Sequence, residues 1–225
     1  MLNEIGIGIK SFRIFFSYST VDKLIVGEIK KHLELLGFEV FLAHEDIEPC
    51  IDWQEEIKKN LLRCDVFIPL YSKNFRDSKW TDQETGIAIA SEKFIIPLHM
   101  DLAPYGFMGK TQGLKIDEKL LALTANEIVK IIKSKSKFKD DMKNFTINAL
   151  ARSSSFDEAK FRARQLSGFD TFSEEEVLRV YSAVLSTNQI SGSFGARSVL
   201  IHFFEKYKAF LGEEDFNIVW QVLTT

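Results

Sequence analysis

The chain has 225 residues, 45% apolar and 27% charged side chains, and a formal net charge of −3. That length allows one large domain, or an ordinary domain with a small companion, and the apolar share suffices for a sizeable core. The net charge is too small to suggest a dedicated nucleic-acid or polyanion binder, and stretches such as DVFIPLYS and KFIIPLHM fall far short of the roughly 20 apolar residues of a membrane-spanning helix.

The first half alternates strand and helix signals. FRIFFSY (Phe12 to Tyr18) reads as a short apolar strand. STVDKLIVGEIKKHLELLG follows, with Val21, Leu24, Ile25, Ile29, Leu33 and Leu36 at helical spacing, Ser19 or Thr20 able to cap its start and Gly37 placed to end it. FEVFL (Phe38 to Leu42) is strand-like, and the proline and clustered charges of HEDIEPCI mark a loop. DWQEEIKKNLLR opens with Asp52 and places Glu55 three residues on, a capping-box spacing, with Ile57, Leu61 and Leu62 on its apolar side. DVFIPLYS and KFIIPLHM are the third and fourth strands, and the segment between them, from Trp80 to about Glu92, reads as a helix. Short apolar runs separated by amphipathic helices predict a flavodoxin-like, doubly wound α/β fold, a parallel sheet covered on both faces.

After about Gly113 the pattern changes. IDEKLLALTANEIVKIIKSK is helical, and the Lys- and Ser-rich residues 134–155 read as a linker. From Phe156 to Thr225 no β-period survives. SEEEVLRVYSAVLS sets Ser173 and Glu176 at capping-box spacing, and ARSVLIHFFEKYKAFLG carries a helical apolar face ending at Gly212. The expected organisation is an α/β domain over residues 11–133, a linker over 134–155 and a small helical domain over 156–225. The start, MLNEIGIGIKS, lacks the basic and apolar runs of a secretory signal. Two cysteines, Cys50 and Cys64, make no disulfide framework, which points to a reducing, cytoplasmic setting.

In an open parallel sheet, ligands bind beyond the carboxyl ends of the strands, where strand order reverses. For the order 2-1-3-4-5 that point lies between the loop SYST after the first strand and SKNFRDSKWTDQE after the third. Within the latter, Trp80 and Glu84 stand four residues apart, so a helix there aims an aromatic ring and a carboxylate at one place.

The segments FRIFFSYSTVDK, GFEVFLAHEDIEPCIDWQEEI and DVFIPLYSKNFRDSKWTDQE, in that order and spacing, resemble the Toll/interleukin receptor (TIR) domain family, bacterial NAD-cleaving type, over roughly residues 11 to 133. The resemblance implies a catalytic glutamate in a WxxxE string, here Glu84, and a nucleotide cleft drawing on Tyr18, Ser19, Thr20, Glu48 and Trp80. It implies cleavage of the nicotinamide–ribose bond of NAD+ to nicotinamide and ADP-ribose or a cyclic ADP-ribose product, antiphage defence as the setting, and activation by self-association through TIR domains. Two positions depart from the family pattern: Cys50 stands where many members have Gly in the long loop after the second strand, and Ala43 where an Asp is common. The alternative is a non-enzymatic TIR scaffold that signals through TIR–TIR contacts.

The chemistry asks for one carboxylate. Nicotinamide leaves as a neutral base from a cationic pyridinium and needs no general acid, unlike ordinary glycoside hydrolysis with its two carboxyl groups. NAD+ is thus a substrate, no cofactor is expected, and a protein partner is expected for the helical unit. His32, His44, His99 and His202 are scattered without ligand spacing, so no metal site is expected. GIGIKS lacks the spacing of a phosphate loop.

Overall fold

The computed structural model describes residues 11–42 and 53–225. The described residues form two compact units, Phe12–Glu34 with Phe38–Val129, and Leu35–Gly37 with Lys130–Thr225.

The first unit is built on a parallel sheet. Its strands are β1 (Arg13–Ser17), β2 (Glu39–Leu42), β3 (Val66–Tyr71), β4 (Phe94–Ile95), β5 (Leu98–His99) and β6 (Leu114–Lys115). The order is β2-β1-β3-β5-β6, with β4 also on β3, and every pairing is parallel. The expected fourth strand is therefore present in two pieces on the same neighbour. Pro97 separates them, since it offers no N–H to the ladder, yet the line continues through Ile96 N–H to the Phe67 carbonyl at 3.0 Å. With that strand counted once, the order is the flavodoxin-like 2-1-3-4-5, and the turn of strand order lies at β1 and β3.

The helices of this unit are α1 (Lys23–Leu35), α2 (Trp53–Arg63), α3 (Lys73–Asp77), α4 (Thr81–Ala90) and α5 (Leu121–Lys133), the last crossing the division between units. Side chains alternate across a strand, so Phe15 shares one face of β1 with Ser17. Phe15 and Phe67 pack there against Ile57 and Leu61 of α2 and Ala88 of α4. Ile14 and Phe16 point the other way and are equally buried, and all six residues of β3 are buried, as a central strand covered on both faces requires.

Helix α1 buries Val26, Ile29 and Leu33, while Val21 and Leu24, expected on its apolar face, are 72% and 86% exposed. The buried row runs back to Asp22 instead, at i−4 from Val26, and a polar residue at that point conceals the true stripe. The first turn, Thr20–Asp22, is 3₁₀, and the Ser19 side chain makes no capping bond. Gly37 ends the helix as expected: at φ 98° it lets the Phe38 N–H reach the Leu33 carbonyl at 3.1 Å. Leu62, placed on the apolar side of α2, is exposed.

The second unit is helical: α6 (Lys139–Ala151), α7 (Phe156–Leu166), α8 (Glu174–Ser186), α9 (Asn188–Ser191), α10 (Phe194–Lys206) and α11 (Glu213–Thr224). Residues 134–155 hold a 3₁₀ turn and α6, where a linker was expected. Met142, Phe145 and Leu150 of α6 are buried, and Ile147 and Leu150 join the core of α7, α8, α10 and α11. The polar positions that suggested a linker, among them Lys139, Asp140, Asp141 and Asn144, leave this row intact. Helix α10 stops at Lys206, before the expected Gly212, which instead precedes α11. In this core Phe172 packs edge-to-face on Phe203 and on Tyr207, whose own rings meet at 47°.

The expected capping box of α8 is present: the Glu176 N–H donates to Ser173 Oγ and the Ser173 N–H to Glu176 Oε2 at 2.8 Å. Ser173→Ala should lower unfolding free energy by about 1 kcal/mol, read by chemical denaturation. An unchanged midpoint would mean that packing of α8 alone holds its first turn.

No helix among the described residues is long and apolar enough to cross a membrane, and no three His, Cys, Asp or Glu gather there as metal ligands.

Candidate active site

Three short segments meet where the strand order turns: the end of β1, the first turn of α1, and the run from the end of β3 through α3 to α4.

Helix α4 begins at Thr81 with Trp80 as its N-cap. The Trp80 carbonyl accepts the Glu84 N–H at 2.9 Å, the first i to i+4 bond of the helix. The spacing of the sequence thus becomes one full turn. Thr81 Oγ1 donates to the Phe75 carbonyl at 2.8 Å, which ties this helix start back to α3.

Glu84 lies one turn before Ala88, and Ala88 packs against Phe15. Ser17 lies two residues beyond Phe15 on the same face of β1. The two periodicities, four on the helix and two on the strand, therefore bring Glu84 to Ser17. Ser17 Oγ donates to Glu84 Oε2 at 2.5 Å. Glu84 is only 3% exposed, and its Oε1 is buried with no hydrogen-bond partner among the described residues. Burial disfavours the ionised form and raises the Glu84 pKa to about 7, with the Ser17 hydroxyl acting in the opposite sense. No charged side chain is among the causes of that shift. A carboxyl group with one oxygen held and the other unmatched is arranged to receive a donor or a positive charge.

A second polar cluster joins the loops on either side. The Asp22 carboxylate accepts from Ser72 Oγ at 2.6 Å and from Asn74 Nδ2 at 2.7 Å. Ser72 Oγ in turn caps α3 by accepting from the Phe75 N–H. Asp22 and Ser72 are buried, so this network fixes the segment after β1 against the segment after β3.

The other expected site residues are distributed as follows. Tyr18 is fully buried and follows Ser17 at the end of β1; Ser19 is buried, Thr20 is exposed, and Trp80 is half-buried at the head of α4. Glu48 and the rest of the long loop after β2, including Cys50 and Ala43, lie outside the described residues. The sequence reading missed Ser17, Asp22, Ser72 and Asn74. Strand alternation from Phe15 was the one signal that could have singled out Ser17.

Comparison with solved structures finds the TIR domain of the Toll-related receptor TRR-2 from Hydra magnipapillata, 18% identical over 56% of this chain and 95% of that one, with a TM-score of 0.42. It also finds the Clostridium botulinum CMP N-glycosidase BcmB, at 21% identity, 51% and 98% coverage and a TM-score of 0.37. The TIR domains of the activated Roq1 resistosome that recognises the effector XopQ are similar at 20% identity, 70% and 98% coverage and a TM-score of 0.39. A search of curated proteins returns no match. The family model described as the TIR domain matches residues 14–123, a span that contains β3, Ser17, Trp80 and Glu84, and those residues are identified as a TIR domain.

Proposed function

We propose that the TIR domain is an NAD+ nucleosidase with Glu84 as its catalytic group. The observation that carries this reading is the state of that side chain: buried, held through Oε2 by Ser17 at the end of β1, with Oε1 unmatched among the described residues, one helical turn after Trp80.

The bond between the ribose carbon and the pyridinium nitrogen breaks, and its electron pair leaves with neutral nicotinamide. The ribose carbon is left with oxocarbenium character. Ionised Glu84 stabilises that charge, and Oε1 accepts from a ribose hydroxyl and so orients the sugar. One preorganised contact of this kind is worth about 3–4 kcal/mol of barrier. Water then adds to the carbon and releases a proton, which gives ADP-ribose; an atom of the ADP-ribose portion attacking instead gives a cyclic product. Trp80, one helical turn before Glu84, supplies an aromatic face to a ring. We propose antiphage defence as its setting, on the resemblance to bacterial members.

Incubation of the purified protein with NAD+ and chromatography of all products tests the reading. Free nicotinamide with one equivalent of ADP-ribose or cyclic ADP-ribose is expected. Intact NAD+ with a folded and self-associated protein would leave the scaffold reading in its place.

Assembly enters the proposal through the dielectric. A neighbouring domain that excludes water from the carboxyl ends of β1 and β3 strengthens the contact between Glu84 and the developing charge. Activity per molecule should therefore rise between nanomolar and high micromolar protein, followed together with light scattering. A constant value from a species that stays monomeric would remove self-association from the mechanism.

A further inference from the structure

We infer that Ser17 is a positioning residue of the same site: its hydroxyl fixes Glu84 Oε2 so that Oε1 alone faces the ligand, and it favours the charged form that the reaction uses. The inference rests on the reading of Glu84 as the group that meets the ribose.

The geometry is specific. Ser17 is fully buried at the last position of β1, and its hydroxyl reaches a carboxylate 67 residues away at 2.5 Å. In the sheet Ser17 stands opposite Pro69 of β3, which brings no N–H to that register. The Ser17 hydroxyl is the hydrogen-bond partner of the Glu84 side chain among the described residues. A hydroxyl can donate to either form of the carboxyl but binds the anion more strongly, by roughly a factor of two over a neutral pair. It therefore opposes burial, which favours the neutral acid.

The elements packed against α4 include α2, α3, β1 and β3. Their titratable groups include Arg13 and Tyr71 on the strands, Lys73, Arg76 and Asp77 on α3, and the charged positions of α2 from Glu55 to Arg63. None is among the causes acting on Glu84; burial and the Ser17 bond are. Asp82 on α4 itself is engaged by Tyr105, whose hydroxyl donates to Asp82 Oδ1 at 2.7 Å.

Ser17 touches the carboxyl and not the substrate, so its loss should act on turnover rather than on substrate binding. In Ser17→Ala we expect kcat to fall about tenfold with KM near the wild-type value, and the rising limb of the pH–rate profile to move up by about one unit, the scale of one charge-assisted hydrogen bond. Ser17→Thr, which keeps the hydroxyl, should return both toward wild type.

A second measurement separates this inference from the proposed reaction. The pH dependence of unfolding free energy, compared with that of Glu84→Gln, isolates the titration of Glu84 without any substrate. In Ser17→Ala that limb should shift upward. Absence of NAD+ cleavage by every variant with a shifted limb would overturn the reaction and keep the positioning role. An unshifted limb, with pH–rate profiles coincident between Ser17→Ala and wild type, would overturn the positioning role whatever the reaction is.

Discussion

Glu84→Gln should lower NAD+ turnover by about a hundredfold or more while the domain stays folded. The substitution keeps the volume and leaves an amide oxygen to accept from Ser17 Oγ, the one bond the side chain makes among the described residues. The negative charge is lost, and the atom facing the ribose carbon becomes a neutral amide group. Removal of one preorganised electrostatic contact typically costs about 10²–10³ in kcat. The loss should appear in kcat and kcat/KM together, since the contact is strongest when the ribose is most cationic. Asp82→Asn is the matched control. It removes a charge from the exposed side of the same helix, two residues away, where the carboxylate meets Tyr105. Its turnover should stay within a small factor of wild type. NAD+ cleavage by Glu84→Gln at the wild-type rate would show that another group performs the chemistry.

The sequence made the frame of this site legible because local spacing carried the information. The turn of strand order at β1 and β3 follows from apolar runs separated by helices, and the WxxxE spacing became the hydrogen bond from the Glu84 N–H to the Trp80 carbonyl. Ser173 and Glu176 met as a capping box because both partners lie within one turn. What stayed hidden depended on contacts across the fold. Ser17 looks like any small residue at a strand end until α4 is laid over β1, and Asp22 reads as a surface charge until Ser72 and Asn74 come to it. Asp22 also misled: with a polar residue at the head of the buried row, apolar counting moved the stripe of α1 onto Val21 and Leu24. Helix α6 was masked in the same way by Lys and Asp on its outer side, although Met142, Phe145 and Leu150 keep a helical spacing beneath them.

The burial that prepares Glu84 for its task should also make the protein less stable as pH rises. In the folded state the carboxyl titrates at about 7, while in the unfolded chain it returns to the ordinary value near 4.5. Between those values the folded protein keeps a proton that the unfolded chain has released. Unfolding free energy then falls with rising pH, through a window of roughly pH 4.5 to 7, and levels off above it. A shift of this size corresponds to roughly 3 kcal/mol across the window. Urea unfolding at steps from about pH 5 to about pH 7.5 reads the slope, and the difference from Glu84→Gln assigns it, because the amide has nothing to titrate. Lys133 introduces no confusion in that range: burial lowers its pKa to about 8, so its contribution has the opposite sign and develops mainly above the window. The variant should therefore match wild type near pH 5 and exceed it near pH 7.5, while remaining inactive at both. Parallel curves for the two proteins would mean that water or a mobile neighbour already solvates Glu84 in the folded state. Opposed trends, with wild-type turnover rising through pH 7 as wild-type stability falls, would tie the reaction to the ionised form of a carboxyl that the fold alone prefers to keep neutral.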